Sequence, residues 1–198
     1  NTTILQGVVV SDNVIIGEGC IIKSNSVIGE DGFGHEFDQD GKLIEIPHIG
    51  SVIIGNNVTI GSITTVVSGT IDPTIIEDYV KIDDHVHIAH NVKVGESSRL
   101  TACVEISGSV SIGKKVWLGP NCSIINGISI GDNAFIGLGA VVTKSVKNYS
   151  LVLGNPALHV GWMSQAGTRL KFDKNNIAFC KKSETKYKLV KDNIQKIR

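Results

Sequence analysis

The chain has 198 residues, a length that suits one main domain with a small appendage. Its 19 basic and 19 acidic side chains cancel, so the overall charge gives no reason to expect binding to nucleic acid or to an anionic membrane. Because no apolar run approaches the ~18 residues of a membrane helix and no signal-peptide pattern opens the chain, we expect a cytoplasmic protein.

An aliphatic residue recurs at every sixth position along most of the chain. Neither a helix nor an ordinary strand has this period, so the pattern indicates a fixed structural repeat. The positions are Ile4, Val10, Ile16, Ile22 and Ile28, then Ile54, Ile60 and Val66, then Ile76, Ile82, Ile88, Val94, Leu100, Ile106, Ile112, Leu118, Ile124, Ile130, Ile136 and Val142. Four residues after each aliphatic of the last run comes a small or β-branched residue, with Ile128 as the larger exception. Two inward positions per hexad predict an all-β parallel solenoid of six to seven triangular coils, ~32 Å tall.

Two irregularities interrupt this repeat. Residues 30–47 are too polar and Gly-rich for a coil, and a loop of this length inside a compact repeat is usually functional or disordered. We interpret this segment as a protruding arm that covers a neighbouring site; the alternative is a β-hairpin packed on its own coils. Between Ser68 and Thr74 the repeat slips by four residues and then resumes.

The pattern stops after Val142, and residues 154–157 predict a turn that ends the solenoid. Four short strands of an antiparallel sheet are then predicted at Arg169–Phe172, Ile177–Cys180, Thr185–Val190 and Ile194–Ile197. The chain therefore divides into a solenoid at 1–153, with its insertion at 30–47, and a C-terminal cap and tail at 154–198. Residues 161–198 hold 10 basic and 3 acidic side chains, so the tail is strongly basic.

The cysteines show no C-x-x-C pairing. Cys20 and Cys122 fall on the small inward positions of their hexads. They are therefore predicted to be buried thiols that act as small hydrophobes, not disulfide partners.

The densest group of polar side chains lies at residues 83–91, where three of the six histidines fall within six residues. His90 follows the inward Ile88 by two positions and is predicted to lie at a corner of the solenoid. Residues 18 apart stack on successive coils, so Gly108 lies directly above His90, followed by Asn126 and Lys144. An imidazole with a bare backbone amide ~4.8 Å away matches the needs of acyl transfer, in which a base takes a proton and an N–H receives the oxyanion.

Metal binding is the alternative for this cluster, because neutral imidazole is a common ligand. His85, His87 and His90 occupy different positions in their hexads, however, so the three side chains are not expected to converge. The sequence therefore predicts no metal site. A metal-dependent hydratase or a purely structural solenoid remains as a competing class.

Residues 28–113 contain GEDGFGHEF, IPHIGSVIIGNNVTIGSITTV, SGTIDPTIIEDYVKID and IAHNVKVGE. This stretch resembles the UDP-3-O-acylglucosamine N-acyltransferases of lipid A assembly, and the whole repeat resembles the left-handed β-helix hexapeptide acyltransferases. From residue 114 on, IGDNAFIGLGAVVTKSV and LVLGNPA look like sugar acetyltransferases that use acetyl-CoA. The continuation GWMSQAGTRLKFD resembles N-acetyltransferases of nucleotide-linked 3-amino sugars. The chain departs from the lipid A enzymes at Val67-Ser68, where they have Asp-Arg, and at Ile128, where they have a second His.

The resemblance implies a left-handed parallel β-helix that forms a homotrimer, with each active site between two subunits. His90 is implied as the general base and Gly108 as the oxyanion donor and thioester neighbour, with Asp83, Asp84 or Asn91 orienting the imidazole. It implies an acetyl-CoA-dependent N-acetyltransferase of a UDP- or dTDP-linked amino sugar for surface glycan biosynthesis. The alternatives are an acyl-carrier-protein-dependent N-acyltransferase of the lipid A type and a sugar O-acetyltransferase.

Ligand-binding residues follow from the same resemblance. The pantetheine arm of acetyl-CoA is expected to pass Gly108, Asn126 and Gly139–Ala140, and Lys144, Lys147 or Arg169 to meet the CoA phosphates. The nucleotide sugar is expected at the 30–47 arm, with Phe33 or Phe37 stacked on the base. The further residues expected to bind this substrate are His35, Asp84 and His85.

Overall fold

The computed structural model describes residues 1–197 and shows an all-β protein; residue 198, with which the predicted tail ends, lies outside the described residues. Within residues 1–197 there are 27 strands and no helix. The strands are β1 Thr3–Ile4, β2 Val9–Val10, β3 Ile15–Ile16, β4 Ile21–Ile22, β5 Val27–Ile28, β6 His35–Phe37, β7 Leu43–Glu45, β8 Val52–Ile54, β9 Thr59–Ile60, β10 Thr65–Val66, β11 Thr74–Ile76, β12 Lys81–Ile82, β13 His87–Ile88, β14 Lys93–Val94, β15 Arg99–Leu100, β16 Glu105–Ile106, β17 Ser111–Ile112, β18 Trp117–Leu118, β19 Ser123–Ile124, β20 Ser129–Ile130, β21 Phe135–Ile136, β22 Val141–Val142, β23 Ser150–Leu153, β24 Leu158–Trp162, β25 Ile177–Cys180, β26 Thr185–Val190 and β27 Asn193–Ile197.

Three parallel sheets form the faces of the predicted solenoid. The first face runs β1-β4-β9-β12-β15-β18-β21-β23, the second β2-β5-β10-β13-β16-β19-β22, and the third β3-β8-β11-β14-β17-β20. The parallel β-solenoid is confirmed, and its left-handed winding stays a prediction of the resemblance. The first face has eight strands, so the prediction of six to seven coils is too low. The additional strand is β23, because Val146 and Val152 continue the inward pattern at spacings other than six.

The core is a single column of aliphatic side chains inside the coils. All twelve aliphatic residues from Ile76 to Val142 are at most 3% exposed. Cys20 and Cys122 are fully buried, as predicted, and burial raises the pKa of the Cys122 thiol to about 12. Ile128, the large residue at a small position, is only partly buried against this column. At the first coil the column is open, and Ile4 is 50% exposed.

Regular corners of the solenoid each contain one residue with a left-handed backbone. Between the first and second faces this position is held by Gly7, Asn25, Ile63, His85, Cys103, Asn121 and Gly139, with φ from 55° to 74°. The left-handed residue turns the chain from one face to the next without interrupting the ladder of backbone hydrogen bonds. The side chains of neighbouring residues at a corner therefore point in different directions.

Both irregularities predicted from the sequence lie where the second face passes into the third, which we call the His90 corner (residues 29–51, 67–73, 89–92, 107–110, 125–128 and 143–145). The 30–47 insertion folds into an antiparallel hairpin of β6 and β7. Phe33 is 92% exposed and Phe37 is 66% exposed, so the hairpin protrudes from the solenoid. The four-residue slip forms the next connection along the same corner.

After the turn at residues 154–157, β24 returns antiparallel to β23. The tail then forms a three-stranded antiparallel sheet, β25-β26-β27, with a small core of its own around Tyr187. Three of the four predicted tail strands are present. The strand predicted at Arg169–Phe172 is wrong: this segment makes only an isolated bridge to Met163, and the Arg169 guanidinium donates to the Val160 carbonyl at 2.6 Å.

Candidate active site

The parallel register stacks His90, Gly108 and Asn126 on successive coils of the His90 corner, as predicted from the 18-residue coil. Lys144 lies on the next coil, where the corner is two residues shorter. Gly108 lies directly against the imidazole of His90. A Cβ at residue 108 would lie 2.5 Å from both Cε1 and Nε2 of His90, far inside van der Waals contact. Among the described residues, the Gly108 N–H donates to no acceptor, whereas the N–H groups on either side, of Ser107 and Ser109, donate to the neighbouring coils. The site therefore combines an imidazole with a free amide N–H on the next coil.

Asn91 fixes the orientation of the His90 ring. Its Nδ2 donates to the Asp72 carbonyl at 2.7 Å, and its Oδ1 accepts from the Thr70 N–H at 3.2 Å. The same Oδ1 lies 3.0 Å from Nδ1 of His90. Because Oδ1 is an acceptor, Nδ1 carries the proton, and Nε2, the nitrogen beside Gly108, keeps its lone pair.

Thr70 and Asp72 belong to the four-residue slip of the repeat. The slip therefore has a structural role that the sequence did not reveal: it supplies the backbone groups that hold Asn91. Asn91 itself has a φ of 60°, which Asn tolerates better than most residues.

A cleft of about 950 Å³ opens beside His90. The hairpin and its flanking residues form one side, with Asp31, Phe33, His35 and Glu45. The solenoid wall forms the other side, with His87, His90, Glu105, Ser107 and Gly108. We call this space the His90 cleft. Phe33 and His35 pack together with ring centroids 4.5 Å apart, so these two predicted residues lie at the cleft, whereas Phe37 lies farther out on the hairpin.

Three residues near this cleft were missed by the sequence reasoning. His48, just after the hairpin, places its ring edge against His90 with centroids 5.6 Å apart. His87 was considered only as a metal ligand; its Nδ1 lies 2.6 Å from the Thr65 hydroxyl, and its Nε2 lies 3.9 Å from Oε1 of Glu105. Glu105 follows His87 by 18 residues, and this spacing alone predicts that Glu105 lies directly above His87 on the next coil.

Asp84 and His85, predicted to bind substrate, lie on a different corner from His90. Asp84 accepts from the Ser62 N–H at 2.7 Å and pairs with Lys23 at 3.8 Å. His85 holds the left-handed position of that corner and is exposed. Neither residue lines the His90 cleft, because both lie on the corner between the first and second faces. Asp83 is also at that corner, where its carbonyl accepts from Thr64, so Asn91 is the residue that orients His90.

The residues predicted to bind CoA separate into two groups. Asn126 and Lys144 are exposed on the His90 corner, above Gly108. Gly139 lies on the corner between the first and second faces, and the Ala140 side chain is fully buried in the core. Ala140 therefore cannot offer its side chain to a ligand on the wall, which corrects the predicted contact.

A second pocket, of about 470 Å³, lies at the end of the solenoid and is called here the C-terminal pocket. Lys144, Lys147, His159 and Trp162 line it over an apolar floor. Burial lowers the pKa of His159 below its ordinary value, and the charge of Lys147 lowers it further, although Asp192 acts in the opposite sense. Two lysines and two aromatic rings thus share one pocket. Arg169 is not part of it.

Two further observations concern the part of the chain that the structure describes. No group of three or more His, Cys, Asp or Glu side chains there is arranged to hold a metal ion. None of those residues forms a helix with the length and apolar character needed to cross a membrane.

Comparison with known proteins gives curated relatives along the solenoid. The chain is 41% identical over 154 residues to UDP-3-O-acylglucosamine N-acyltransferase 2 of Legionella pneumophila, which covers 77% of this chain and 45% of the relative. It is 42% identical over 131 residues to the UDP-3-O-acylglucosamine N-acyltransferase of Pseudoalteromonas translucida, with 66% and 38% covered. The chain thus spans less than half the length of these curated relatives.

Solved structures share the fold at lower identity. A UDP-N-acetylglucosamine acyltransferase from Campylobacter jejuni superimposes with a TM-score of 0.66 at 22% identity, over 81% of this chain and 73% of that one. Another UDP-N-acetylglucosamine acyltransferase gives a TM-score of 0.71 at 23% identity, over 81% and 62%. Identities this low support the architecture alone.

The model of the bacterial transferase hexapeptide family (six repeats) matches residues 1–30, 73–108 and 109–144. These segments make up just over half of the chain, and they coincide with coils of the observed solenoid. The chain therefore belongs to the bacterial transferase hexapeptide family.

Proposed function

We propose that the protein is an N-acyltransferase that moves a short acyl group, acetyl in the simplest case, from acyl-CoA to the amine of a UDP- or dTDP-linked amino sugar for surface glycan biosynthesis. The observation that carries this proposal is the pairing of His90 with Gly108. Nε2 of His90 has its lone pair free beside Gly108, whose N–H has no acceptor among the described residues. In acyl transfer a general base takes the proton of the nucleophile, and an N–H donor stabilises the oxyanion.

In the proposed reaction, the amine nitrogen attacks the thioester carbonyl while Nε2 of His90 takes its proton. The carbonyl oxygen becomes an oxyanion and accepts a hydrogen bond from the Gly108 N–H. Collapse of this intermediate breaks the carbon–sulfur bond, and His90 returns the proton to the thiolate of CoA. Asn91 stabilises the protonated ring, because its Oδ1 accepts from Nδ1 throughout.

A CoA donor is supported by the alignment of the His90 corner with the C-terminal pocket. Lys144 lies three coils above His90, a separation of about 14 Å at the spacing of neighbouring strands. An extended pantetheine arm can follow Asn126 between the two, and the pocket then offers Lys144 and Lys147 to phosphates. Gly108, without a side chain, leaves room for the thioester at the lower end.

The acceptor assignment rests on the hairpin and on the relatives. The curated relatives are N-acyltransferases whose names give a UDP-linked glucosamine as the acceptor. In this chain, the exposed ring of Phe33 stands at the His90 cleft beside His35, and it can stack on a nucleotide base. We also propose a homotrimer, as the resemblance implies. Its support is the hairpin, which leaves Phe33, Phe37 and Leu43 exposed in a single subunit. The cytoplasmic location stays a prediction.

The tail sheet favours a second candidate, an acyl-carrier-protein-dependent N-acyltransferase. Lys186 and Lys188 lie on the exposed side of β26, opposite the buried Tyr187, and Phe179 is exposed next to Lys186. A basic surface with an exposed aromatic ring suits an acidic carrier protein.

The test is thiol release from acetyl-CoA with a panel of UDP- and dTDP-linked 3- and 4-amino sugars, with His90→Ala alongside. We expect turnover on one amino sugar and a loss of at least 100-fold in the variant. No turnover with CoA but turnover with an acylated carrier protein would establish the second candidate. Turnover only on the parent hydroxyl sugars would establish an O-acetyltransferase. Wild-type activity in His90→Ala would refute the proposed mechanism.

A further inference from the structure

The His90 cleft contains a second pair of ionisable side chains that the proposed reaction does not use. Thr65, His87 and Glu105 are stacked on three successive strands of the second face, because the parallel register places each directly over the one before. All three side chains point outward, and His87 and Glu105 line the cleft together with His90 and Gly108.

The contacts of His87 link it to both neighbours. Its Nδ1 lies 2.6 Å from the Thr65 hydroxyl, within hydrogen-bond distance, and its Nε2 lies 3.9 Å from Oε1 of Glu105, close enough for electrostatic attraction when the ring is protonated. The Glu105 carboxylate therefore faces the cleft with the His87 imidazole beside it, and Thr65 contacts the other side of that imidazole.

The side chains that line the His90 cleft give it a negative charge. Its carboxylates are Asp31 and Glu45 from the hairpin side and Glu105 from the wall, and its other ionisable groups are the histidines. No Lys or Arg is among the described residues that line it. Such a cleft attracts a cation and repels phosphate.

Glu105 is also well placed relative to the reacting groups. Glu105 lies on the coil above His87 and His90, on the strand that ends just before the corner of Gly108. Glu105, His90 and Gly108 all line the His90 cleft. An amine bound in this cleft is therefore exposed to both the carboxylate and the imidazole.

We propose that Glu105, supported by His87, anchors the acceptor amine in its protonated form and so selects amino sugars over hydroxyl sugars. The ammonium releases one proton to solvent before its nitrogen attacks, and His90 then takes the second. This inference rests on the proposed function, since it concerns the acceptor of the same site. A neutral hydroxyl can donate a hydrogen bond to the Glu105 carboxylate, whereas an ammonium adds the attraction of its own positive charge to that bond.

The experiment compares binding by calorimetry, without any acyl donor, of UDP-linked 3-amino and 4-amino sugars and of their parent hydroxyl sugars. The proteins are the wild type, Glu105→Gln, which keeps the shape and removes the charge, and two matched controls. Glu96→Gln removes another exposed carboxylate, one that pairs with Lys114 on a different corner. Glu45→Gln removes a carboxylate from the opposite side of the same cleft.

We expect Glu105→Gln to weaken binding of the preferred amino sugar by about 10- to 100-fold and binding of its hydroxyl parent by no more than about 5-fold. Glu96→Gln should bind like the wild type, and Glu45→Gln should lose less than Glu105→Gln. Equal losses for the amino and hydroxyl sugars, equal losses in Glu45→Gln and Glu105→Gln, or no loss would each overturn the proposal.

Turnover measured on the same panel separates this inference from the proposed function. If the wild type turns over an amino sugar and Glu105→Gln has the same KM for it, the role of Glu105 as an anchor is overturned. The proposed N-acyltransferase function is then unaffected. Absence of turnover on every amino sugar would overturn the proposed function, and a binding preference for amines that depends on Glu105 would still support the anchor.

Discussion

Gly108→Ala tests the link between the stacked coils and catalysis most directly. The added Cβ would lie 2.5 Å from Cε1 and Nε2 of His90, and ordinary contact needs at least 3.4 Å, so the ring must retreat by about 1 Å. That movement strains the 3.0 Å contact between Nδ1 of His90 and Asn91. A misplacement of about 1 Å at a reacting group can reduce the rate by ~100-fold, and a displaced oxyanion donor has a similar effect. We therefore expect kcat to fall by at least ~100-fold.

Stability must be controlled in this experiment, because overpacking costs about 1–3 kcal/mol. Gly127, one coil higher on the same corner, provides the control. Its φ is 72° and nothing lies within 4 Å of an added Cβ, so Gly127→Ala strains the backbone by about 1–2 kcal/mol without touching His90. Both variants should lose about 2–8 °C in Tm, and only Gly108→Ala should lose activity. The measurements are initial rates of thiol release and thermal unfolding. A Gly108→Ala enzyme with kcat within about threefold of the wild type would refute the reasoning.

Three further predictions concern the positioning of the base, the core and the thiols. Asn91→Gly keeps the left-handed backbone but frees the imidazole, so kcat should fall by about 10- to 100-fold with little change in the donor KM, measured by steady-state kinetics; an unchanged kcat would contradict this role. Ile124→Ala should destabilise the protein by about 2–5 kcal/mol in denaturant unfolding because Ile124 is 1% exposed, whereas Ile125→Ala, at a position 44% exposed, should cost under about 1 kcal/mol. A thiol reagent at pH 8 should modify the exposed Cys103 first, and Cys122, whose pKa burial raises to about 12, only after unfolding; mass spectrometry that finds Cys122 modified in the native protein would be evidence against its burial.

The architecture was predictable because the six-residue period of aliphatic residues fits only one kind of fold, a solenoid of stacked coils. Aliphatic residues at that spacing can all be buried only in stacked coils, and an 18-residue coil then fixes which residues are vertical neighbours. The stack of His90 and Gly108 follows from this arithmetic, and the structure contains it.

Residues adjacent in sequence were a poor guide to the site. Asp84 and His85 are near His90 along the chain but belong to another corner, since the solenoid changes direction every six residues. Glu105 and His48 lie at the site from 15 and 42 residues away, where outward positions carry no repeat pattern. The eighth coil was missed because Val146 and Val152 depart from the six-residue spacing.

Because the coils above His90 have nearly the same height, the distance between two sites on this corner is a whole number of strand spacings. Between Gly108 and Lys144, a segment of 18 residues can be deleted or duplicated while the three faces keep their register, because every residue then meets an equivalent partner. Each such change moves Lys144 relative to His90 by one strand spacing, about 4.8 Å, and by no smaller amount. The length of the donor molecule that fits between His90 and Lys144 can therefore change only in increments of one coil.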